Sequence, residues 1–327
     1  MKEKSFYNIV YELFINQYKS RFSNFHDFFK LEKNEIIEFN KKDIYINIII
    51  PVCNRLEYLK KSIECLLDQN YDKKYKIAIT VCEMDIEKKC KNFCIKNNIN
   101  YIYLKSEFFN KSLAMNFASK IFQSKFYLFH DVDLLVQKGW IQKCIDTVLE
   151  ETKKGNLDFI CQPIPKRKIF YINKKNTEKF FENNILKNDL FNINDHMIQP
   201  EWYRKNYPPG GSILVSSDLF YTVQGFDPAL FWSYAPEDLF FLERCISLSK
   251  NSNLITWTEG PNVYHMYHEN NEKINPSYEY MVFISNLLLN DKFLLNQYGH
   301  FKLKINDLDI ENSGKNNFSL NKLIKTR

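Results

Sequence analysis

Lys125-Phe126-Tyr127-Leu128-Phe129-His130-Asp131-Val132-Asp133 opens as a hydrophobic run and ends in two carboxylates one residue apart. Aromatic and aliphatic side chains packed this densely predict a buried strand, so the acid pair falls at a strand end. On a bend there, both carboxylates can turn toward one ion, and hard divalent cations such as Mg2+ and Mn2+ prefer such oxygen donors. An Asp-capped turn is the plainer reading of the triplet alone, so its surroundings must decide. Upstream, strand signals at 44–52, 75–82 and 101–104 alternate with helical stripes at 55–68, 86–96 and 110–122. The stripe at Leu56, Leu59, Ile63, Leu66 and Leu67 is the clearest of them. Strand–helix alternation predicts an α/β fold, a mainly parallel central sheet flanked by helices. In such sheets ligands bind at the carboxyl ends of the strands. Pro51-Val52-Cys53-Asn54-Arg55 and Asp131-Val132-Asp133 both lie at such ends and are expected in one crevice.

Composition agrees with a globular chain. Of 327 residues, 45% are hydrophobic and 26% charged, which excludes a disordered protein; 8 Gly and 10 Pro exclude a collagen-like one. The formal charge of +6 suits an anionic small substrate or a membrane surface and falls short of a nucleic-acid signature. The eight cysteines include no CxxC pair, so a zinc ribbon is not expected, and thiols in a reducing compartment are. No apolar run reaches the ~18 residues of a membrane span, and the N-terminus lacks a signal peptide's cleavage pattern. The expectation is a cytoplasmic enzyme, with peripheral contact at the inner face of a membrane as a secondary reading. Residues 1–42 read as an N-terminal helical extension, from Phe6, Ile9, Val10, Leu13 and Phe14 at helical spacing. Residues 43–275 read as the main domain, and 276–327 as a C-terminal helix, at 277–289, and tail. Within the main domain, 151–206 reads as irregular apart from a strand near 159–163.

Three further motifs carry chemistry. Gly210-Gly211 lets the backbone approach a ligand closely and leads into a strand at 212–215. Pro236-Glu237-Asp238 opens a helix at 239–248, where the dipole favours ionised acids, and either carboxylate can serve as a general base. His265-Met266-Tyr267-His268, at the end of a strand expected at 262–265, offers two imidazoles suited to Mn2+ or Zn2+. Each has a bland alternative: a tight turn, an N-terminal acid, a pair of core or surface histidines.

Taken in order, these segments resemble the β-1,4-galactosyltransferase family, whose fold is GT-A. Ile48-Ile49-Ile50-Pro51-Val52-Cys53-Asn54-Arg55-Leu56-Glu57-Tyr58-Leu59 is similar to that family's IIIPFRNRxEHL, and Phe109-Asn110-Lys111-Ser112-Leu113-Ala114-Met115-Asn116 to its FNRAxLLN helix. Phe129-His130-Asp131-Val132-Asp133-Leu134-Leu135 resembles FSDVDLIP, Gly210-Gly211-Ser212 begins a segment like GGVSAM, and Gln224-Gly225-Phe226 resembles NGF. Trp232-Ser233-Tyr234-Ala235-Pro236-Glu237-Asp238 stands in the place of WGWGGED, and His265-Met266-Tyr267-His268 in that of MxxH. The resemblance spans about residues 44–270 and extends to chondroitin-polymerase-type bacterial transferases.

The resemblance implies an inverting, metal-dependent glycosyltransferase that moves a hexose or N-acetylhexosamine from a UDP-sugar to a saccharide or lipid-linked saccharide, in bacterial surface-glycan synthesis. It implies Mn2+ or Mg2+ on Asp133 and His268, with His265 standing where the family has Met. It places Asp131 near the ribose or diphosphate and Pro51, Val52 and Arg55 along the uridine pocket. Asn116, Gly211 and Tyr234 complete the donor-binding set. Asp238 is the implied catalytic base, supported by Glu237, and a lid is expected at 269–277. Pro208 replaces the bulky residue that disfavours N-acetylated donors, so UDP-Gal and UDP-GalNAc both fit. Leu239 replaces the acid that holds the family's acceptor, which leaves the acceptor open. A non-catalytic carbohydrate- or nucleotide-binding protein on the same scaffold is the alternative.

Overall fold

The computed structural model describes residues 34–40, 42–106, 109–193, 197–198, 211–223, 225–226, 237–248 and 254–269. Strand β1 (Asn34–Ile37) precedes β2 (Ile46–Val52), which is buried at every position. Side chains alternate across a strand, and β2 uses both faces. Ile46, Ile48, Ile50 and Val52 enter one core with Leu59, Ile63 and Leu66 of helix α1 (Leu56–Leu67) and Trp140, Ile141 and Ile145 of α4 (Trp140–Lys153). Ile49 enters the opposite core with Leu113 and Phe117 of α3 (Lys111–Ile121) and Phe241 of α8 (Glu237–Leu248). A strand apolar on both faces therefore marks a sheet covered on both sides. Asn47, the polar exception within β2, is satisfied: its amide donates to Phe122 O at 2.9 Å and accepts from Thr80 Oγ1 at 2.8 Å.

The remaining elements are β3 (Ile77–Asp85), α2 (Lys91–Lys96), β4 (Asn100–Lys105), β5 (Phe126–His130), β6 (Leu134–Val136), β7 (Ile160–Gln162), β8 (Ile169–Tyr171), α5 (Lys174–Phe181), α6 (Lys187–Phe191), β9 (Met197–Ile198), β10 (Ser212–Ser216), α7 (Ser217–Thr222), β11 (Leu254–Thr256) and β12 (Val263–His265). The large sheet runs β1-β4-β3-β2-β5-β10-β7-β11. Its middle, β4-β3-β2-β5, is parallel, whereas β1 and β10 join antiparallel. The chain lays β2, β3 and β4 outward in one direction, then returns to place β5 on the other side of β2. That reversal makes a topological switch point between β2 and β5, with a crevice outside their carboxyl ends. A smaller sheet, β6-β12-β8-β9, stands beside it.

The sheet is mainly parallel at its centre, as expected, with antiparallel β1 and β10 flanking that part. Several other expectations change. Within the expected N-terminal helical extension, Asn34–Ile37 is a strand that extends the main sheet. The helix expected at 86–96 is confined to Lys91–Lys96. Asp85 accepts from the Ile86 amide and the buried Glu83 from those of Lys89 and Cys90, so 86–90 is held as a turn. Residues 165–198, read as irregular, contain β8, α5, α6 and β9. The stripe from Phe6 to Phe14, the helix at 277–289, Pro208, Tyr234 and the lid beyond Glu269 lie outside the described residues. No described helix is long and apolar enough to cross a membrane.

Candidate active site

The strand ends deliver two clusters. In the first, Asp133 follows β5 and is 4% exposed. His265, the last residue of β12, places Nε2 3.7 Å from Asp133 Oδ1, and His268 places Nε2 3.5 Å from Oδ2. The three ligand-type atoms all lie within 4.8 Å of one another. The second sheet builds this arrangement: His265 pairs across the ladder with Leu134, and the Met266 amide donates to Asp133 O at 2.9 Å. Tyr171 of β8 stacks on the His265 ring, 5.0 Å between centroids. Asp133 Oδ1 and His265 Nδ1 are buried without a hydrogen-bond partner among the described residues. A divalent cation fits this donor set: one carboxylate and two imidazoles give the mixed O/N shell that Mn2+ accepts. Burial alone would raise Asp133, but His265, Arg55 and His268 outweigh it and hold the carboxyl below the usual range. Burial, with Arg55 nearby, pushes His268 down toward the neutral, ligating form.

The second cluster centres on Lys111, the first residue of α3, whose Asn110 N-cap accepts from the Leu113 amide at 2.8 Å. The Lys111 ammonium lies 2.7 Å from Asp131 Oδ1, 3.0 Å from Glu237 Oε1 and 3.0 Å from Asp238 Oδ2. The Gly211 amide also donates to Asp238 Oδ2, at 3.1 Å, while Gly211 O accepts from the Asp131 amide at 2.7 Å. Gly211 has φ +109°, and a Cβ there would stand 2.9 Å from the buried Leu134 side chain. Glycine is thus what lets β10 approach the Asp131–Asp133 bend. Burial drives Asp131 up to about 6 and Glu237 up to about 7; Lys111 opposes both shifts and Asp238 adds to them. Three acids share one ammonium, and burial raises two of them above the usual carboxylate range.

The expected site residues divide accordingly. Asp133, His265 and His268 come together, as do Asp131, Gly211, Glu237 and Asp238. Arg55 was expected along the uridine pocket, and its guanidinium lies 2.5 Å from Asp133 Oδ2, because the β2–α1 turn faces the β5 end across the switch point. Asn116 was expected at the donor, but its amide donates to Phe226 O at 2.8 Å and accepts from Phe226 N at 2.9 Å. With Arg244 of α8 donating to the Val223 and Gly225 carbonyls, it fixes the chain after α7. Val52 is wholly within the core, and Pro51 is buried beside it. Two residues were missed. Lys111 stands where the FNRAxLLN pattern has its arginine, and that cation was the available signal. Asp85 ends β3 beside the crevice and accepts from the Asn54 amide at 2.8 Å; its signal was an acid at a parallel strand's carboxyl end.

Residues 47–202 match the family model described as Glycosyl transferase family 2. The 1–349 fragment of S. aureus TarS, solved in complex with UDP-GlcNAc, superposes with a TM-score of 0.53 at 12% identity, covering 86% of this chain and 78% of that one. The chain has the GT-A fold. A longer S. aureus TarS structure matches at 14% identity and TM-score 0.49 over 76% of this chain but only 40% of its own, so the chain spans well under half of that relative. A Drosophila β1,4-galactosyltransferase 7 variant, in complex with manganese, UDP-Gal and xylobiose, matches at 15% identity and TM-score 0.44, covering 73% of this chain and 79% of that one. No curated protein matches the sequence. In this GT-A domain the crevice between β2 and β5 is bounded by Arg55 and Asp133, the Asp131–Lys111–Asp238 cluster, and His265 and His268.

Proposed function

We propose that the protein is an inverting, metal-dependent transferase that moves a hexose or N-acetylhexosamine, with UDP-Gal or UDP-GalNAc favoured, to a saccharide hydroxyl during bacterial surface-glycan synthesis. The observation that carries this reading is the juxtaposition of two clusters at one switch point: Asp133, His265 and His268 beside Asp131, Lys111, Glu237 and Asp238. The motif order of the galactosyltransferase family supports the choice of donors, and the UDP-GalNAc option rests on Pro208. The fold shared with a TarS fragment solved with UDP-GlcNAc supports a UDP-sugar more generally. Mn2+ or Mg2+ held by Asp133, His265 and His268 would supply Lewis-acid neutralisation of charge on the departing diphosphate.

The chain's own residues do the rest. Asp238 takes the proton from the acceptor hydroxyl as that oxygen attacks the anomeric carbon from the face opposite UDP. Its Oδ2 is fixed by Lys111 and the Gly211 amide, so the remaining oxygen is left for the acceptor. Glu237 shares the same ammonium and keeps Lys111 oriented. Asp131, bound to Lys111 and to the Gly211 carbonyl, links the base to the strand that carries Asp133.

The test is release of UDP from UDP-Gal, UDP-GalNAc, UDP-Glc, UDP-GlcNAc and UDP-GlcA by purified protein, with and without Mn2+. Slow, Mn2+-dependent hydrolysis of UDP-Gal or UDP-GalNAc, lost in Asp133→Ala, is the expected result. Silence with every donor, together with no calorimetric binding of UDP plus Mn2+, would overturn the reading.

A further inference from the structure

Arg55 occupies an unexpected place for a residue of a metal site. Its guanidinium lies 2.5 Å from Asp133 Oδ2, the same carboxylate oxygen that faces His268 Nε2 at 3.5 Å. A divalent ion that took Oδ2 together with His268 Nε2 would lie between those two atoms, bringing two like charges onto one oxygen. Asp133 side-chain exposure is only 6%, so water screens this competition poorly. Arg55 itself is lightly held. Its side chain is 32% exposed, and it sits at the N-cap of α1 without making a side-chain cap. The Tyr58 ring lies 5.8 Å from the guanidinium carbon. The side chain can therefore swing within the mouth of the crevice while its backbone stays fixed. A diphosphate arriving there presents the planar, bidentate acceptor that a guanidinium prefers.

We propose that Arg55 is a resident counter-cation of Asp133 that competes with the divalent metal for Oδ2, and that a nucleoside diphosphate relieves the competition by drawing the guanidinium to itself. This rests on the metal site of the proposed function and adds to it an order: metal alone binds weakly, and metal and nucleotide bind cooperatively. By linkage the coupling is reciprocal, so UDP binding also tightens when Mn2+ is present.

The experiment is Mn2+ titration followed by the paramagnetic signal of free Mn2+ and by calorimetry, without and with saturating UDP, on the wild type, Arg55→Gln and Asp133→Asn. Gln is polar and of similar reach to the guanidinium's stem but carries no charge. In the wild type, UDP should tighten Mn2+ binding by about 10- to 100-fold, the usual range of such coupling. In Arg55→Gln, Mn2+ without nucleotide should bind about tenfold more tightly than in the wild type, because a buried carboxylate stripped of its cation gains affinity for another. The enhancement by UDP should fall to a few-fold. Arg55→Lys should retain weak Mn2+ binding. Circular dichroism and thermal melting establish that each variant folds. If Asp133→Asn abolishes Mn2+ binding but Arg55→Gln leaves the nucleotide-free affinity unchanged or weaker, the competition is overturned and the metal site stands. If neither wild type nor Arg55→Gln binds Mn2+ with or without UDP, both fall.

Discussion

Asp238 receives two donors on one oxygen, the Lys111 ammonium and the Gly211 amide, and that geometry separates its charge from its shape. Asp238→Asn keeps an oxygen for both donors and loses the negative charge. Turnover should therefore fall by ~10²–10⁴-fold, the range for a positioned base, while calorimetric binding of UDP with Mn2+ survives; near-wild-type turnover would remove Asp238 from the role. Glu237 gives a second residue-level prediction. Its carboxyl is raised from 4.5 to about 7, chiefly by burial, so the folded state holds that proton more tightly than the unfolded chain does. The resulting stability is fully present below pH 4.5 and is lost as pH rises through about 7. Glu237→Gln should flatten this limb, raising the metal-free protein's stability at pH 8 by about 1–3 kcal/mol and changing little at pH 4.5. Equal slopes of melting temperature against pH in both proteins would refute it. Asp133, His265 and His268 were legible because each keeps a recognisable neighbourhood in sequence. Arg55 and Asn116 show what a motif leaves open, because it names a residue without saying which way its side chain turns.

At the scale of elements, the long buried strands were readable and the short ones were not. β2 announces itself by apolar side chains at consecutive positions. The second sheet is built from strands of two or three residues, too short for a period of two to register. The 86–90 turn was invisible for another reason: it depends on buried Glu83 accepting amides from the next element. The join between β10 and the Asp131 bend is the element-level feature most exposed to a single change. Gly211→Ala forces a side chain into left-handed backbone against Leu134. It should cost about 1–3 kcal/mol of stability in denaturant unfolding and loosen Asp238 as well. Asn116→Ala should likewise destabilise by about 1–3 kcal/mol, since it strands the amide and carbonyl of Phe226. Its UDP affinity should be unchanged, which a donor-binding role would not allow.

For the whole molecule, stability and ligation should be linked, because the proposed metal ligands come from both sheets. Mn2+ with UDP at about 100 times the dissociation constant adds ~2.7 kcal/mol, which for a chain of this size is about 4 °C in melting temperature. Asp133→Asn should abolish that shift while still folding; an undiminished shift would place the ion elsewhere. The α/β layout was available from strand–helix order alone. The reversal at β5 was not, because sequence order does not say on which side of β2 the returning strand docks.

The pairing of β6 with β12 also has a consequence for biosynthesis. A ribosome releases Asp133 long before it releases His265 and His268, so the nascent chain must carry that acid through much of translation without its imidazoles. Arg55, made earlier still, is already at hand. Under the proposed competition, the counter-charge of Asp133 is thus synthesised before the imidazoles that complete its cluster.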